Sequence, residues 1–374
     1  MTKRTKNIVW FGMLVVLLLP FIQLMFPFSK SKKLKGAKKL APNVEFTWKG
    51  FFEGDYQEKK EKYLKDSIGF RNDMIRVSNQ IAFSFFDELR TFNVVEGDSG
   101  YYYEQYYIHE YNGTNFVGDD SLMNTVDRLE KFKSQLDSLG KKVLIVIAPG
   151  KGSFYPEYFP HNYSREEGKQ RNYLSFKKFI DQTNIDVIDF SSYFLSQKEK
   201  SPYPLMTQTG IHWSRYAEYL AADSIISFVE RTYGYDLPNI LLDTIKVEDP
   251  SKRDIDLEGA LNILFPLERD QVGVPYFHFE ERSKQDSIKP IVIADSFFWG
   301  MYNFGLTKSS FYDGKFWFYS KSIYPDSFKK PLKVKDINIW EEIDQSDMII
   351  FMTTEANLYE FPFGFFKLLN NDQQ

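Results

Sequence analysis

Pro290-Ile291-Val292-Ile293-Ala294-Asp295-Ser296-Phe297-Phe298-Trp299-Gly300 decides how the rest of the chain is read. Ile291, Val292 and Ile293 form a short apolar run rich in β-branched residues, suited to a strand buried on both faces of a parallel sheet. The run stops at Ala294-Asp295-Ser296, and a bulky aromatic segment that can begin a helix follows. A serine there is projected from the carboxyl edge of the sheet, where open α/β folds bind their ligands. Its hydroxyl is a weak nucleophile until a base takes the proton, so a histidine is required. Of the four histidines, His109, His161, His212 and His278, His212 stands in Thr209-Gly210-Ile211-His212-Trp213-Ser214, just before a helix-like stretch from Arg215 to Val229.

The neighbouring segments repeat a helix-strand rhythm. Leu122 to Leu139 is an amphipathic helix ending at Gly140, followed by a buried strand from Val143 to Ala148 and then Pro149-Gly150-Lys151. Arg171 to Gln182 reads as a helix and Val187 to Phe190 as a strand with Asp189 as a cap. Phe316 to Tyr319 is a further strand, and Met348 to Met352 is the last buried one, leading into Thr353-Thr354-Glu355-Ala356-Asn357. Upstream, Val94 to Gly97 and Gly100 to Tyr103 read as a hairpin. Its turn holds a second Asp-Ser pair, Asp98-Ser99, but a glycine-flanked turn fed by no strand holds a nucleophile poorly. Phe46 to Phe92 reads as helix, with Arg71 structural, and the acidic, proline-marked stretch Asp236 to Asp286 as an excursion of loops and short elements.

The chain has 374 residues, 43% of them hydrophobic, enough for a sizeable core. Its net charge of −4 gives no general attraction to nucleic acid. Cysteine is absent, which excludes disulfides, thiolate chemistry and cysteine zinc sites. The histidines do not cluster, so no metal or cofactor is expected. Aromatic residues reach 18% and are assigned mainly to the core, although exposed ones can stack on sugar rings.

At the N-terminus, basic Met1 to Lys6 precedes an uncharged apolar run from Ile8 to Phe28, of a length that spans a bilayer. The run is longer than a signal-peptide core and no small-x-small site follows, so it is expected to stay as an anchor. Lys3, Arg4 and Lys6 precede the span, while Lys30, Lys32, Lys33, Lys35, Lys38 and Lys39 follow it. By charge count alone the body would lie on the cytoplasmic side.

Asp295-Ser296 after a buried strand and His212-Trp213 upstream resemble the SGNH-hydrolase-like domain of the alginate O-acetyltransferase (AlgJ/AlgX-type) proteins. Tyr63 to Arg71 and Tyr155 to Pro160 are similar to further segments of that family. The resemblance runs from about Glu45 to Asn357. It implies a parallel sheet flanked by helices behind one transmembrane helix: residues 1–29 as anchor, 30–44 as basic linker and 45–370 as the acetyltransferase domain. It also implies the opposite orientation to the charge count, with a single-pass inner-membrane protein whose body lies in the periplasm. The implied partners are a polysaccharide acceptor and a multi-pass membrane O-acyltransferase that supplies acetyl groups.

In that family an Asp-x-His-Trp motif and a Gly-Asp-Ser motif supply an Asp-His pair and a serine nucleophile. His212 and Ser296 match; Ala294 replaces the glycine, and Gly210 stands where the aspartate is expected. A substitute carboxylate is sought in Glu355, Asp189 and Asp295, in that order; the alternatives are a Ser-His dyad or lost catalysis. Trp213 is expected beneath the imidazole. Lys151 is expected either to place a charge by the substrate or to pair with a carboxylate, and Asp295 and Asn357 are expected to line the site. The oxyanion donors are sought in the Phe297 N–H and among Asn303, Asn357 and the tyrosines. The resulting expectation is a serine-dependent O-acetyltransferase, with a non-catalytic polysaccharide-binding subunit and a carbohydrate acetyl esterase as alternatives.

Overall fold

The computed structural model describes residues 2–36, 40–283 and 285–371; Lys38 and Lys39 of the basic segment lie outside them. The chain divides into two compact units, Met1–Phe92 with Glu258–Leu267, and Asn93–Leu257 with Glu268–Gln374.

The first unit opens with a helix, Lys3–Met25, long and apolar enough by length and composition to cross a membrane. The expected single helix from Phe46 to Phe92 is instead three: Trp48–Glu53, Asp55–Ser67 and Arg71–Phe86. Left-handed backbone at Gly54 (φ 86°) and Phe70 (φ 58°) makes the two breaks, which apolar periodicity does not register. Arg71 and Asp66 meet at 3.5 Å across the second break, which gives Arg71 a structural role.

Among the described residues the second unit carries ten strands. β1 (Val94–Glu96) and β2 (Tyr102–Glu104) form the expected antiparallel hairpin around Asp98–Gly100. β3 (Lys142–Ala148) and β4 (Asp186–Asp189) are parallel strands preceded by the helices Asp119–Ser138 and Asn172–Ile180. β5 (Ile240–Glu248) and β6 (Val272–Phe279) form a long antiparallel pair where loops and short elements were expected. β7 (Pro290–Ala294), β8 (Lys315–Phe318), β9 (Ser322–Tyr324) and β10 (Met348–Thr354) complete the unit.

The central sheet has the order β4-β3-β10-β7-β8-β9, parallel except for β9. β10 lies between β3 and β7, pairing Ile350 with Leu144 and Val292. All residues of β7 and β10 are buried, as the β-branched runs require of strands covered on both faces. Phe132, Phe351, Phe361, Phe365 and Phe366 pack in one cluster within the hydrophobic core beside the sheet. Truncating one such buried ring costs about 3–5 kcal/mol. The sheet thereby fixes where the carboxyl ends of β3, β7 and β10 lie, and these deliver Lys151, Asp295-Ser296 and Glu355.

Candidate active site

β7 ends at Ala294, and Asp295 turns the chain by accepting the Phe297 N–H on its Oδ1 (3.0 Å), opening the short helix Ser296–Phe298. Asp295 is fully buried; its Oδ2 accepts the Thr354 N–H (2.7 Å) from β10 and the Asn357 amide (2.8 Å). Burial pushes its carboxyl up, while those three donors pull it back. Asp295 therefore locks the turn that carries Ser296 to the neighbouring strand. The Phe297 N–H, expected as an oxyanion donor, is committed to Asp295.

Ser296 is half-buried and its hydroxyl lies 2.8 Å from Nε2 of His212. On the other side of the ring, Nδ1 lies 2.6 Å from Oδ2 of Asp256, whose Oδ1 accepts the Ile211 N–H at 2.8 Å. An ionised carboxylate only accepts, so Nδ1 carries the proton and Nε2 is left to take one from Ser296. Burial works to raise the Asp256 carboxyl, but the hydrogen bond and charge of His212, with the Ile211 N–H and Lys151, hold it below the usual range. Asp256 is thus ionised at neutral pH, as an imidazole-orienting group must be.

None of the three expected carboxylates orients His212. Glu355 is buried and hydrogen-bonded by Ser153 and Ser191; burial pushes it up to about 7 against the pull of Arg171 and Ser153. Asp189 caps the helix Phe190–Gln197 and holds Ser192 and Tyr173. Asp295 faces Phe297, Thr354 and Asn357. The carboxylate at Nδ1 comes instead from the excursion, 44 residues after the histidine. The sequence signal for it, Asp254-Ile255-Asp256 inside an acidic stretch, is too common to single out.

Gly210 has no room for the missing aspartate: a Cβ there would lie 2.4 Å from the Asp254 carbonyl oxygen and 2.5 Å from Thr207 Oγ1. The segment bearing Asp256 occupies that space. It is held by the Thr207 hydroxyl on the Asp254 carbonyl (2.6 Å) and by a Ser251–Asp254 turn. Arg253 also donates to buried Glu218 on the helix Arg215–Tyr233. This ion pair lies over Gly300, where a Cβ would come within 1.8 Å of the Arg253 guanidinium. One ion pair therefore touches both the helix behind His212 and the segment behind Ser296.

The other expected residues divide into supports and outliers. Trp213 is buried, donates its indole N–H to the Phe297 carbonyl (3.2 Å) and packs edge-on to the Phe297 ring. The ring of Phe297 lies against the imidazole at 4.8 Å, so Trp213 braces His212 through Phe297. Lys151 is fully buried and donates to the carbonyls of Gln208 (2.7 Å) and Gly210 (2.6 Å); it pairs with the loop before His212, not with a carboxylate. Asn303 is exposed, and among the described residues no bond joins it to Ser296. Asn357 is buried and reaches the Tyr319 hydroxyl at 3.3 Å. Tyr319, in left-handed backbone (φ 50°) just past β8, contacts Ser296, and burial pushes its hydroxyl up to about 12, so it stays a donor. Burial also raises Glu104, which is close enough to His212 and Asp256 to feel both charges.

Among the described residues no three metal-ligating side chains come together. A relay from carboxylate to imidazole to hydroxyl, with a tyrosine against the serine and an amide behind that tyrosine, is equipped for acyl transfer.

Residues 94–289 match the family described as the SGNH hydrolase-like domain of acetyltransferase AlgX. The chain belongs to this family. The match covers just over half of the chain and includes His212 and Asp256, ending before Ser296. Among solved structures, the chain is similar to the O-acetyltransferase domain of Pseudomonas putida AlgJ, at 14% identity over 75% of this chain and 99% of that one, with a TM-score of 0.48. It is also similar to Pseudomonas aeruginosa AlgX, at 14% identity over 78% and 71% with a TM-score of 0.48. Bacillus cereus PatB1 follows, at 10% identity over 64% and 91% with a TM-score of 0.39. No curated protein matches the chain.

Proposed function

We propose that this chain is an O-acetyltransferase acting on hydroxyls of an exported or cell-surface polysaccharide through an acetyl ester of Ser296. The observation that carries the reading is the unbroken relay from Asp256 to His212 to Ser296, at 2.6 and 2.8 Å. Membership of an acetyltransferase family supports it. Ser296 Oγ attacks the carbonyl carbon of an acetyl donor while its proton passes to His212 Nε2. The oxyanion is met by the Tyr319 hydroxyl, with the Asn357 amide behind it, and the leaving group departs with the proton from His212. A sugar hydroxyl then gives its proton to His212 and attacks the acetyl carbon, and Ser296 leaves with that proton restored. Asp256 holds the imidazole in the tautomer both halves need and stabilises the imidazolium.

In this reading residues 45–370 form the acetyltransferase body, residues 1–29 the anchor and residues 30–44 a tether near anionic headgroups. The body stands in the periplasm beside a multi-pass membrane acyltransferase that passes acetyl groups outward. Full-length protein in detergent is incubated with an acetyl ester, and intact mass is compared between wild type and Ser296→Ala. An acetyl adduct confined to wild type, discharged faster when oligosaccharide is added, is expected. An adduct on both proteins, or none on folded wild type, sinks the acyl-enzyme. Discharge that oligosaccharide does not accelerate makes the protein an esterase.

A further inference from the structure

A cavity of about 260 Å³ lies in the second unit, walled by Tyr101, Tyr155, Tyr203, Gln208, Asp254 and Arg269 among others. Ser296, His212 and Asp256 do not line it, but Asp254 and Gln208 stand two and four residues from Asp256 and His212.

Three observations define what fits. First, its aromatic walls are braced from outside. Tyr101 is stacked on Tyr158 at 4.1 Å and 7°, and Tyr203 packs on Gly273 so closely that a Cβ would lie 2.4 Å from the ring. Rigid tyrosine faces with polar tips suit the C–H faces and hydroxyls of a sugar ring. Second, Asp254 is 2% exposed, yet its Oδ1 has no hydrogen-bond partner among the described residues, while Oδ2 takes the N–H and hydroxyl of Ser251. A buried acceptor left unpaired is unfavourable, and a ligand hydroxyl is a group that would satisfy it. Third, the charged lining residues balance: Lys198 and Arg269 against Asp254 and Asp270. Lys198 is already held by Glu157 and the Phe154 carbonyl, so an anionic ring gains no net attraction. The volume falls just under the roughly 300–1,000 Å³ of drug-sized sites, enough for one ring of a chain that continues into solvent.

We propose that this cavity is an acceptor subsite that seats one neutral hexose ring of the polysaccharide while another residue of the same chain offers its hydroxyl to Ser296. This rests on the O-acetyltransferase reading. The seat is tied to the acid: the Asp254 carbonyl binds Thr207, and the turn it closes leads into Asp256.

Full-length Ser296→Ala protein in detergent, which does not turn over, is titrated with cellotetraose, mannotetraose and maltotetraose, and with a uronate tetramer, by saturation-transfer NMR. At least one neutral probe binds saturably, and Tyr203→Ala and Gln208→Ala each weaken it about tenfold or more, as expected for a lost sugar contact. Gln208→Ala trims a half-buried side chain and guards against Tyr203→Ala failing to fold. The proposal is overturned if no neutral probe saturates, which leaves an ordered water as the partner of Asp254. Binding that both variants leave intact overturns it too, as does a uronate tetramer that binds tenfold tighter than every neutral probe. Saturable binding without an acetyl adduct on wild-type Ser296 would retain the subsite and remove the transferase reading; an adduct without binding does the reverse.

Discussion

Ser296 and Asp256 lie at opposite ends of one relay and are held there in opposite ways. Ser296 stands on a strand end buried on both faces, and its turn is stapled to β10 through Asp295 and Thr354. Asp256 stands on a segment outside the sheet, held by the Thr207 bond, the Ser251–Asp254 turn and the Arg253–Glu218 pair. A nucleophile's place is the sheet's place, whereas the orienting acid can be brought from any part of the chain whose side-chain contacts carry a carboxylate to Nδ1. The relay therefore survives without an aspartate at position 210.

If Asp256 is the orienting acid, Asp256→Asn costs roughly 10⁴ in kcat, as loss of the tautomer-setting carboxylate does in a serine protease, while Ser296 stays in place. Single-turnover acetylation of Ser296 measures this. A loss under about tenfold means that Ser296 and His212 act as a dyad and that the two ends of the relay are not equivalent.

Restoring the family's motif is the next largest test. Gly210→Asp on an Asp256→Ala background is expected to stay near the inactive level, because Asp254 and Thr207 fill the space where its side chain would start. The overpacking should also cost about 1–3 kcal/mol in denaturant unfolding. Recovery of more than a few per cent of wild-type rate would show that position 210 can still serve the imidazole.

The Arg253–Glu218 pair gives an intermediate effect. Arg253→Met leaves Glu218, 2% exposed, without its donor; burial already pushes its carboxyl up to about 8, so it stays protonated at neutral pH and the expected cost is that of a lost buried hydrogen bond, about 1–3 kcal/mol. Adding Glu218→Gln restores most of the stability. If the pair positions Asp256, kcat of the double variant remains about tenfold low with KM for the acetyl ester little changed. A wild-type kcat in the double variant assigns the pair to packing alone.

Glu355 gives the smallest effect on rate. Glu355→Gln is expected to hold kcat within about threefold, since the residue touches neither His212 nor Ser296. Its effect belongs to stability against pH. Burial raises Glu355 to about 7 in the folded protein against 4.5 for the free side chain, so the folded state binds the proton more tightly. The associated stability is complete below about 4.5 and lost as pH rises through about 7, by up to about 3 kcal/mol. Urea unfolding between pH 4.5 and 8 reads this slope, which the glutamine variant should flatten. A kcat loss near that of Asp256→Asn would return Glu355 to the relay.

Much of this site was legible along the chain because it is local. A β-branched run followed by Asp-Ser, and a His-Trp pair ahead of a helix, carry their signal within a dozen residues, and β7, the helix Arg215–Tyr233 and the pairing partners β3 and β10 form where that signal puts them. The breaks at Gly54 and Phe70 and the β5–β6 pair escaped, since left-handed residues and antiparallel partners about 30 residues apart leave little trace in apolar periodicity.

The sequence by itself determined the sheet and pointed to Ser296 and His212 beside its edge, because burial of short apolar runs dictates the strands and the strands dictate what stands at their ends. Tertiary structure decided the rest. Asp256 rather than Glu355 came to Nδ1 of His212, the Phe297 N–H was taken by Asp295, and Lys151 turned inward to the carbonyls before His212. A hydrogen bond is settled by a few tenths of an ångström between groups far apart in the chain, and residue order carries no such distance.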